Sequence, residues 1–147
     1  MKSIKYFIQF LIISILFLIF RMLGLNFSSY LSGKIVSLVG PFFRSKDIIK
    51  SNILKALPDL DQNEIKKITN KMWNNYGRIL AEYIFIKDFR GTKFADNIEV
   101  KGQEILDKIK KNNEAVIFVS GHFNNFELMA MQIEKSGINL AAIYRPL

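Results

Sequence analysis

Residues 115–127 read AVIFVSGHFNNFE, and this stretch decides the fold that the sequence predicts. Its first six residues form a continuous β-branched and aromatic run, which is typical of a parallel strand covered on both faces. Gly121 interrupts the run, and residues 126–136 then have a helical pattern that Gly137 closes. Residues 138–144 again resemble a strand. A strand, a helix and a strand in this order predict a βαβ unit.

The segment just upstream extends the same pattern. Residues 98–101 are predicted to form a short strand, and residues 102–112 a helix. The sequence therefore predicts an α/β fold in which residues 121–125 lie where a strand ends and a helix begins. Open α/β sheets bind their ligands at such points. No glycine-rich nucleotide-binding motif accompanies this point, which disfavours nucleotide binding.

His122 and Glu127 are the candidate catalytic residues. In one continuous helix they would lie about 140° apart around the axis, so they meet only if the chain turns between them. A carboxylate hydrogen-bonded to one imidazole nitrogen fixes the tautomer, and the other nitrogen can then take a proton from an alcohol. Two alternatives stay open. Asn124 and Glu127 have the spacing of a capping box, and a single histidine at a strand end is often structural.

Composition restricts the chemistry further. The 147 residues include no cysteine and one histidine, which excludes disulfides, thiolate metal sites, a cysteine nucleophile and a site with several histidines. We expect no metal. The net charge is +8, and no carboxylate precedes Asp47. The excess charge therefore lies beside the most apolar part of the chain, which favours an anionic membrane surface over nucleic acid as the partner.

The amino-terminal part predicts membrane attachment. Residues 6–20 read YFIQFLIISILFLIF, and we predict a membrane-anchor helix over residues 1–26, with a cleaved signal peptide as the alternative. Residues 27–44 form an amphipathic segment that lies in the membrane interface or packs on the following domain. Residues 45–147 are the third predicted region and begin with helices. The first helix spans Ser45 to Leu57, and a longer one begins at a capping box formed by Asp61 and Glu64.

At this point the sequence shows a family resemblance. GHFNNFE, preceded by AVIFVS and followed by IYRPL, resembles the H-x4-D/E acyltransferases. It is most similar to the late acyltransferases of lipid A biosynthesis, which add lauroyl or myristoyl chains, and it also resembles the phosphatidylinositol mannoside acyltransferases. The upstream stretches NILKALP and MWNNYGRILAEY resemble the lipid A family as well. The resemblance implies the start of a glycerol-phosphate-acyltransferase-like α/β sheet after the anchor and the helical middle.

The same resemblance implies an activity and its partners. The expected enzyme moves a fatty acyl chain from an acyl carrier protein thioester to a hydroxyl of a lipid A precursor, with His122 as general base and Glu127 in support. It needs no cofactor beyond that thioester. It faces the cytoplasm from the inner membrane of a Gram-negative bacterium, in contact with membrane lipid and without nucleic acid. The candidate substrate-binding residues are Asn124, Asn125, Arg145, Arg78 and Glu82.

Several alternatives accompany this interpretation. Arg78 and Glu82 share a helix face, and from their spacing alone a solvated ion pair explains them better than a substrate-binding role. Arg145 has a structural ion pair as its alternative. The family commonly has Gly-Asn-Trp where this chain has Asn124-Asn125-Phe126, and its chains are about twice as long, so we expect a truncated product or a partial sequence. A non-catalytic, membrane-tethered interaction domain is the alternative function.

Overall fold

The computed structural model describes residues 2–91 and 93–143. Its α-helices are α1 (Lys2–Leu23), α2 (Leu25–Val39), α3 (Lys46–Ala56), α4 (Gln62–Glu82), α5 (Ile86–Arg90), α6 (Gln103–Asn112) and α7 (Glu127–Lys135). Short 3-10 turns occupy Gly40–Phe42, Tyr83–Phe85 and Ala95–Asn97. The chain divides into two compact units, Met1–Phe85 and Ile86–Leu147. The domain boundaries predicted after residues 26 and 44 stay predictions.

The predicted α/β sheet is wrong for the part of the chain that the structure describes. Residues 98–101, 115–120 and 138–143 contain no strand, and every regular element that is described is helical. The start of a glycerol-phosphate-acyltransferase-like sheet is therefore not seen, nor is the βαβ unit. Residue 144, at the end of the last predicted strand, lies outside the described residues.

Residues 115–120 lack a strand because a strand-like sequence pattern is not sufficient to form one. A β-branched run reports that a segment suits a pleated surface, and it becomes a strand only beside a partner that takes its backbone hydrogen bonds. Within the described ranges, residues 115–120 make no backbone hydrogen bond to another segment. The side chains of Ile117 and Val119 are 92% and 91% exposed, so the covering that the pattern requires is missing.

The predicted helices are confirmed. The capping box at the start of α4 forms as expected, because the Glu64 amide donates to Asp61 Oδ1 (2.8 Å) and the Asp61 amide donates to Glu64 Oε2 (3.0 Å). Helices α3, α6 and α7 lie within one residue of the predicted bounds at each end. Local signals were sufficient here because helical hydrogen bonds close within the segment itself.

In the first unit, α2 packs against α4 through small side chains. Ser28, Ser32 and Gly33 of α2 and Gly77 and Ala81 of α4 are all buried. A Cβ atom added at Gly77 would lie 2.3 Å from the Ser32 carbonyl oxygen and 2.8 Å from the Gly33 Cα. The two backbones are therefore in direct contact, and this confirms that the amphipathic segment packs on the following helices.

We expect Gly77→Ala to lower the free energy of unfolding by about 1–3 kcal/mol, because overpacking here displaces backbone rather than a flexible side chain. Alanine improves helix propensity by up to about 1 kcal/mol, which the clash exceeds. Gly91→Ala is the control, since its added Cβ meets nothing closer than 3.5 Å. Denaturant unfolding in detergent measures both variants. Equal stability of the two would contradict the close packing of α2 on α4.

Helix α1 has the dimensions of a membrane span. Its stretch Ile4–Leu23 is the one described segment long and apolar enough to cross a bilayer, and 20 residues correspond to about 30 Å. Only 6% of this stretch is buried within the protein. Its carboxyl end is fixed to the first unit, where Phe20 is buried and the Arg21 guanidinium lies 5.3 Å from the centre of the Phe85 ring.

The second unit is held together by polar contacts around a small apolar core. Arg90 of α5 forms an ion pair with Glu134 of α7. The hydrogen bond from Arg90 holds the pKa of the Glu134 carboxyl below its usual value, and the same bond raises the pKa of Arg90. Helices α6 and α7 are joined by hydrogen bonds from Gln132 to Gln103 (3.1 Å) and from Gln103 to Ser136 (3.1 Å). The core side chains are Phe89, Ile109, Met131 and Ile133.

Candidate active site

The chain turns sharply between the two candidate catalytic residues. The Phe123 amide donates to the Gly121 carbonyl (2.9 Å), which closes a three-residue turn around His122. Asn124 then has a φ of 47°, in the left-handed region that asparagine tolerates better than most residues. Helix α7 begins three residues later. The turn that the sequence required between His122 and Glu127 is therefore present, although no strand precedes it.

His122 is exposed and rests against an aromatic wall. Its ring lies 4.5 Å from the ring of Phe126, centre to centre, and the two planes meet at 75°. This edge-to-face contact restricts the imidazole while leaving it open to solvent. An imidazole in such a position can accept a proton from a molecule that approaches from outside.

Glu127 begins α7 and is partly buried. Phe126, rather than Asn124, is the cap residue of α7 and makes no side-chain cap hydrogen bond, so the cap is not at the predicted position. Glu127 therefore occupies the first helical position rather than the third, where its charge is favourable to the helix dipole. The pairing of Glu127 with His122 stays a prediction.

Asn125 is the unusual polar residue of this turn. Its side-chain nitrogen and oxygen are both buried, and neither has a hydrogen-bond partner among the described residues. A buried amide without partners is unfavourable by about 1–3 kcal/mol, so such groups are rare unless they serve a purpose. Asn124, in contrast, is exposed.

The amino end of α7 also presents backbone donors. After the Phe123 amide, the next amide with a backbone hydrogen bond is that of Leu128, which donates to the Asn125 carbonyl at 3.2 Å. The amides of residues 124–126 precede it and lie outside the helical ladder. Amides at a helix start are suited to stabilising an anion.

An apolar cavity of about 560 Å³ lies in the same unit. Its walls come from residues 97–102, from α6, from Phe118 and from α7, where Leu128 and Met129 directly follow Glu127. This volume is in the range of ligand pockets. No local sequence pattern predicts the cavity, because its walls come from segments about 30 residues apart. The one local signal is the apolar face of α7.

Arg78 and Glu82 have a different environment from the one predicted. Arg78 donates to the Ser29 hydroxyl (3.4 Å), and that hydroxyl donates to Glu82 Oε1 (2.9 Å). Arg78 also donates to Asn74 at 2.9 Å. Ser29, which the sequence analysis missed, is buried on α2 and separated from Glu82 by 53 positions. The solvated ion pair is therefore replaced by a bridge between α2 and α4, and a substrate-binding role stays a prediction.

Arg145 lies outside the described residues. Within the described ranges, no group of three or more histidine, cysteine, aspartate or glutamate side chains is arranged to hold a metal ion.

Comparison with known proteins identifies the family. The family model described as bacterial lipid A biosynthesis acyltransferase matches residues 1–147, which is the whole chain. No curated protein and no solved structure matches it. The family consists of membrane-associated acyltransferases of Gram-negative bacteria, and their substrate is a lipid A precursor. The chain, with its single histidine at the turn before α7, belongs to the bacterial lipid A biosynthesis acyltransferase family.

Proposed function

We propose that the protein transfers a fatty acyl chain from an acyl carrier protein thioester to a hydroxyl group of a lipid A precursor, with His122 as general base. The observation that carries this proposal is the turn at residues 121–126. It presents the only imidazole of the chain, a buried amide and the start of α7 within six residues. The family match supports the choice of acyl transfer over other reactions that use a histidine base.

The proposed reaction has one chemical step on the enzyme. His122 takes the proton of the acceptor hydroxyl, and the oxygen attacks the thioester carbonyl carbon. The C–O bond of the new ester forms, the C–S bond breaks, and the departing thiolate receives the proton from the imidazolium. Glu127 orients the ring and stabilises its positive charge. The amides of residues 124–126 stabilise the oxyanion that forms in between. The Asn125 side chain, which is buried without a partner in the structure, turns toward the bound substrate and adds a further hydrogen bond.

Charge and shape support the proposed substrates. The net charge of +8 suits both the phosphates of a lipid A precursor and an acidic carrier protein. The apolar cavity beside α7 suits the acyl chain, because burial of each CH₂ group is favourable by about 0.8 kcal/mol.

We further propose that the chain after α1 faces the cytoplasm of the inner membrane. Lys2 and Lys5 lie at the amino end of α1, whereas Arg21, Lys34, Arg44 and Lys46 lie at or after its carboxyl end. Cytoplasmic flanks carry the excess of lysine and arginine. Within about 20 residues of the ends of α1 the two basic groups are equal, so the resemblance to the lipid A acyltransferases, rather than the charge, supports this orientation.

The test of the proposed function is transfer of a labelled acyl chain to a lipid A precursor. Membranes from cells that express the protein from its own reading frame are supplied with the acyl carrier protein thioester, and a parallel sample receives the coenzyme A thioester. We expect labelled product with the carrier protein and little with coenzyme A. Labelled product with coenzyme A alone would contradict the proposed donor. No product with either donor, from protein that is folded and membrane-bound, would favour the non-catalytic interaction domain.

The cavity leads to a prediction about chain length. We expect Met129→Trp to shift the preferred acyl donor to a shorter chain, because the indole occupies cavity volume next to Glu127. Each methylene that no longer fits is expected to lower the transfer rate by about fourfold, which corresponds to the loss of about 0.8 kcal/mol of burial free energy. Competition between donors of different length measures the shift. Ile117→Trp is the control, since Ile117 is 92% exposed and does not line the cavity. The same length preference in both variants would exclude the cavity as the acyl site.

A further inference from the structure

Helix α2 has two faces of opposite character. Its inner face is made of small side chains, with Ser28, Ser29 and Ser32 buried against α4. Its outer face consists of Phe27, Tyr30, Lys34 and Leu38, which recur three or four positions apart and so follow one side of the helix. Phe27, Tyr30 and Leu38 are 54%, 52% and 74% exposed. This outer face is mainly apolar and has no cover in the first unit.

Two further aromatic side chains continue the outer face. Phe42 ends the 3-10 turn after α2, and Phe43 follows it. They are 86% and 82% exposed, the highest values among the aromatic residues of the described chain. Adjacent exposed phenylalanines beside an apolar helix face form the kind of patch that marks a membrane or protein contact.

From Phe27 to Lys46, every charged residue of the chain is positive. Lys34 lies within the outer face, with its ammonium 5.7 Å from the centre of the Tyr30 ring, and Arg44 and Lys46 follow the phenylalanines. No acidic residue occurs before Asp47. A second copy of the chain would bring like charges together, whereas a surface of lipid phosphates would neutralise them.

Helix α2 also follows α1 directly. Gly24 alone separates the two helices, and the Ser28 hydroxyl donates to the Phe20 carbonyl at 2.7 Å. Helix α2 therefore starts where the segment of membrane-spanning length ends. Lysine and tyrosine at this level can keep their polar ends in water while their apolar parts enter the interface.

We propose that the outer face of α2, together with Phe42 and Phe43, lies in the head-group region of an anionic bilayer and forms a second membrane contact beyond α1. The contact orients the first unit on the membrane, because it adds a second attachment point. This point lies beyond the whole of α2 from the end of α1. The lipid is recognised by apolar burial and by phosphate charge, without a specific head-group pocket.

The test uses the absence of cysteine in the chain. Phe42→Cys carries an environment-sensitive NBD label, and the whole protein is reconstituted through α1 into phosphatidylcholine vesicles with or without phosphatidylglycerol. Ser51→Cys is the control, because Ser51 is exposed on α3 beside Asp47, Lys50 and Lys55. Leu38→Cys, a second position on the outer face, repeats the measurement if Phe42→Cys does not fold.

We expect the outer-face label to emit at shorter wavelength than the Ser51 label and to be quenched several-fold more by nitroxide lipids, with iodide showing the reverse order. Phosphatidylglycerol strengthens this difference, and the combined variant Lys34→Gln, Arg44→Gln and Lys46→Gln removes the strengthening. Equal iodide quenching at both positions would overturn the contact with lipid. If phosphatidylglycerol has no effect on the protein that keeps Lys34, Arg44 and Lys46, the preference of the contact for anionic lipid would be overturned. If spin labels attached at position 42 broaden each other's spectra, a second copy of the protein covers the outer face of α2, and the contact with lipid would be overturned.

Discussion

Replacing His122 with alanine is expected to lower the rate of acyl transfer by about 10²–10⁴-fold, the usual contribution of a general base. His122 is the only histidine, so no other imidazole can take over the proton. The side chain is exposed and its ring contact is with Phe126, so we expect the stability of the protein to change by less than about 0.5 kcal/mol. Transfer of labelled acyl chain and thermal unfolding in detergent measure the two effects.

The matched control for this variant is Phe123→Leu. Phe123 neighbours His122 in the same turn and is 80% exposed, so the substitution alters the loop surface without removing a titratable group. Near-normal transfer by this variant, with transfer lost in His122→Ala, assigns the effect to the imidazole. A His122→Ala protein that retains normal turnover would remove His122 from the mechanism.

Replacing Asn125 with leucine is expected to lower transfer by about 10²–10³-fold, as the loss of one oxyanion donor does. The same change is expected to leave the protein at least as stable as before. The Asn125 amide has no partner in the described part of the chain, so leucine removes an unfavourable buried polar group and loses no hydrogen bond. A lower rate together with an equal or higher unfolding temperature is therefore the expected result.

Asn113→Gly is the control for Asn125→Leu. Asn113 follows α6 with a φ of 52°, which glycine adopts without strain, and its side chain is exposed. We expect transfer close to that of the unsubstituted protein. Should Asn125→Leu unfold at a clearly lower temperature, the buried amide has a structural role and the proposed oxyanion donor is wrong.

Local sequence signals predicted most of the helical structure. The capping box of Asp61 and Glu64 and the periodic apolar residues of α3, α6 and α7 all depend on contacts within a few positions of the chain. The turn between His122 and Glu127 was also predicted, because five positions in one helix would have separated the two side chains. Such features can be derived from sequence because their physical causes are local.

The remaining features depend on distant partners. The run at residues 115–120 has the composition of a covered strand, yet its side chains are mostly exposed, since composition does not specify a pairing segment. The role of Ser29 between Arg78 and Glu82 requires the packing of α2 on α4, which brings together positions about 50 residues apart. The cavity beside α7 also depends on distant segments, because residues 97–102 and α7 both form its walls. The first of these cases overturned the predicted α/β fold.

Single-turnover kinetics of His122→Ala, Glu127→Gln and the double variant test whether His122 and Glu127 act as one unit in proton transfer. If the carboxylate acts through the imidazole, Glu127→Gln alone lowers transfer by about 10²-fold or more, and the double variant is no slower than His122→Ala. If the double variant instead loses the product of the two single effects, Glu127 acts independently of His122 and the proposed pair does not exist.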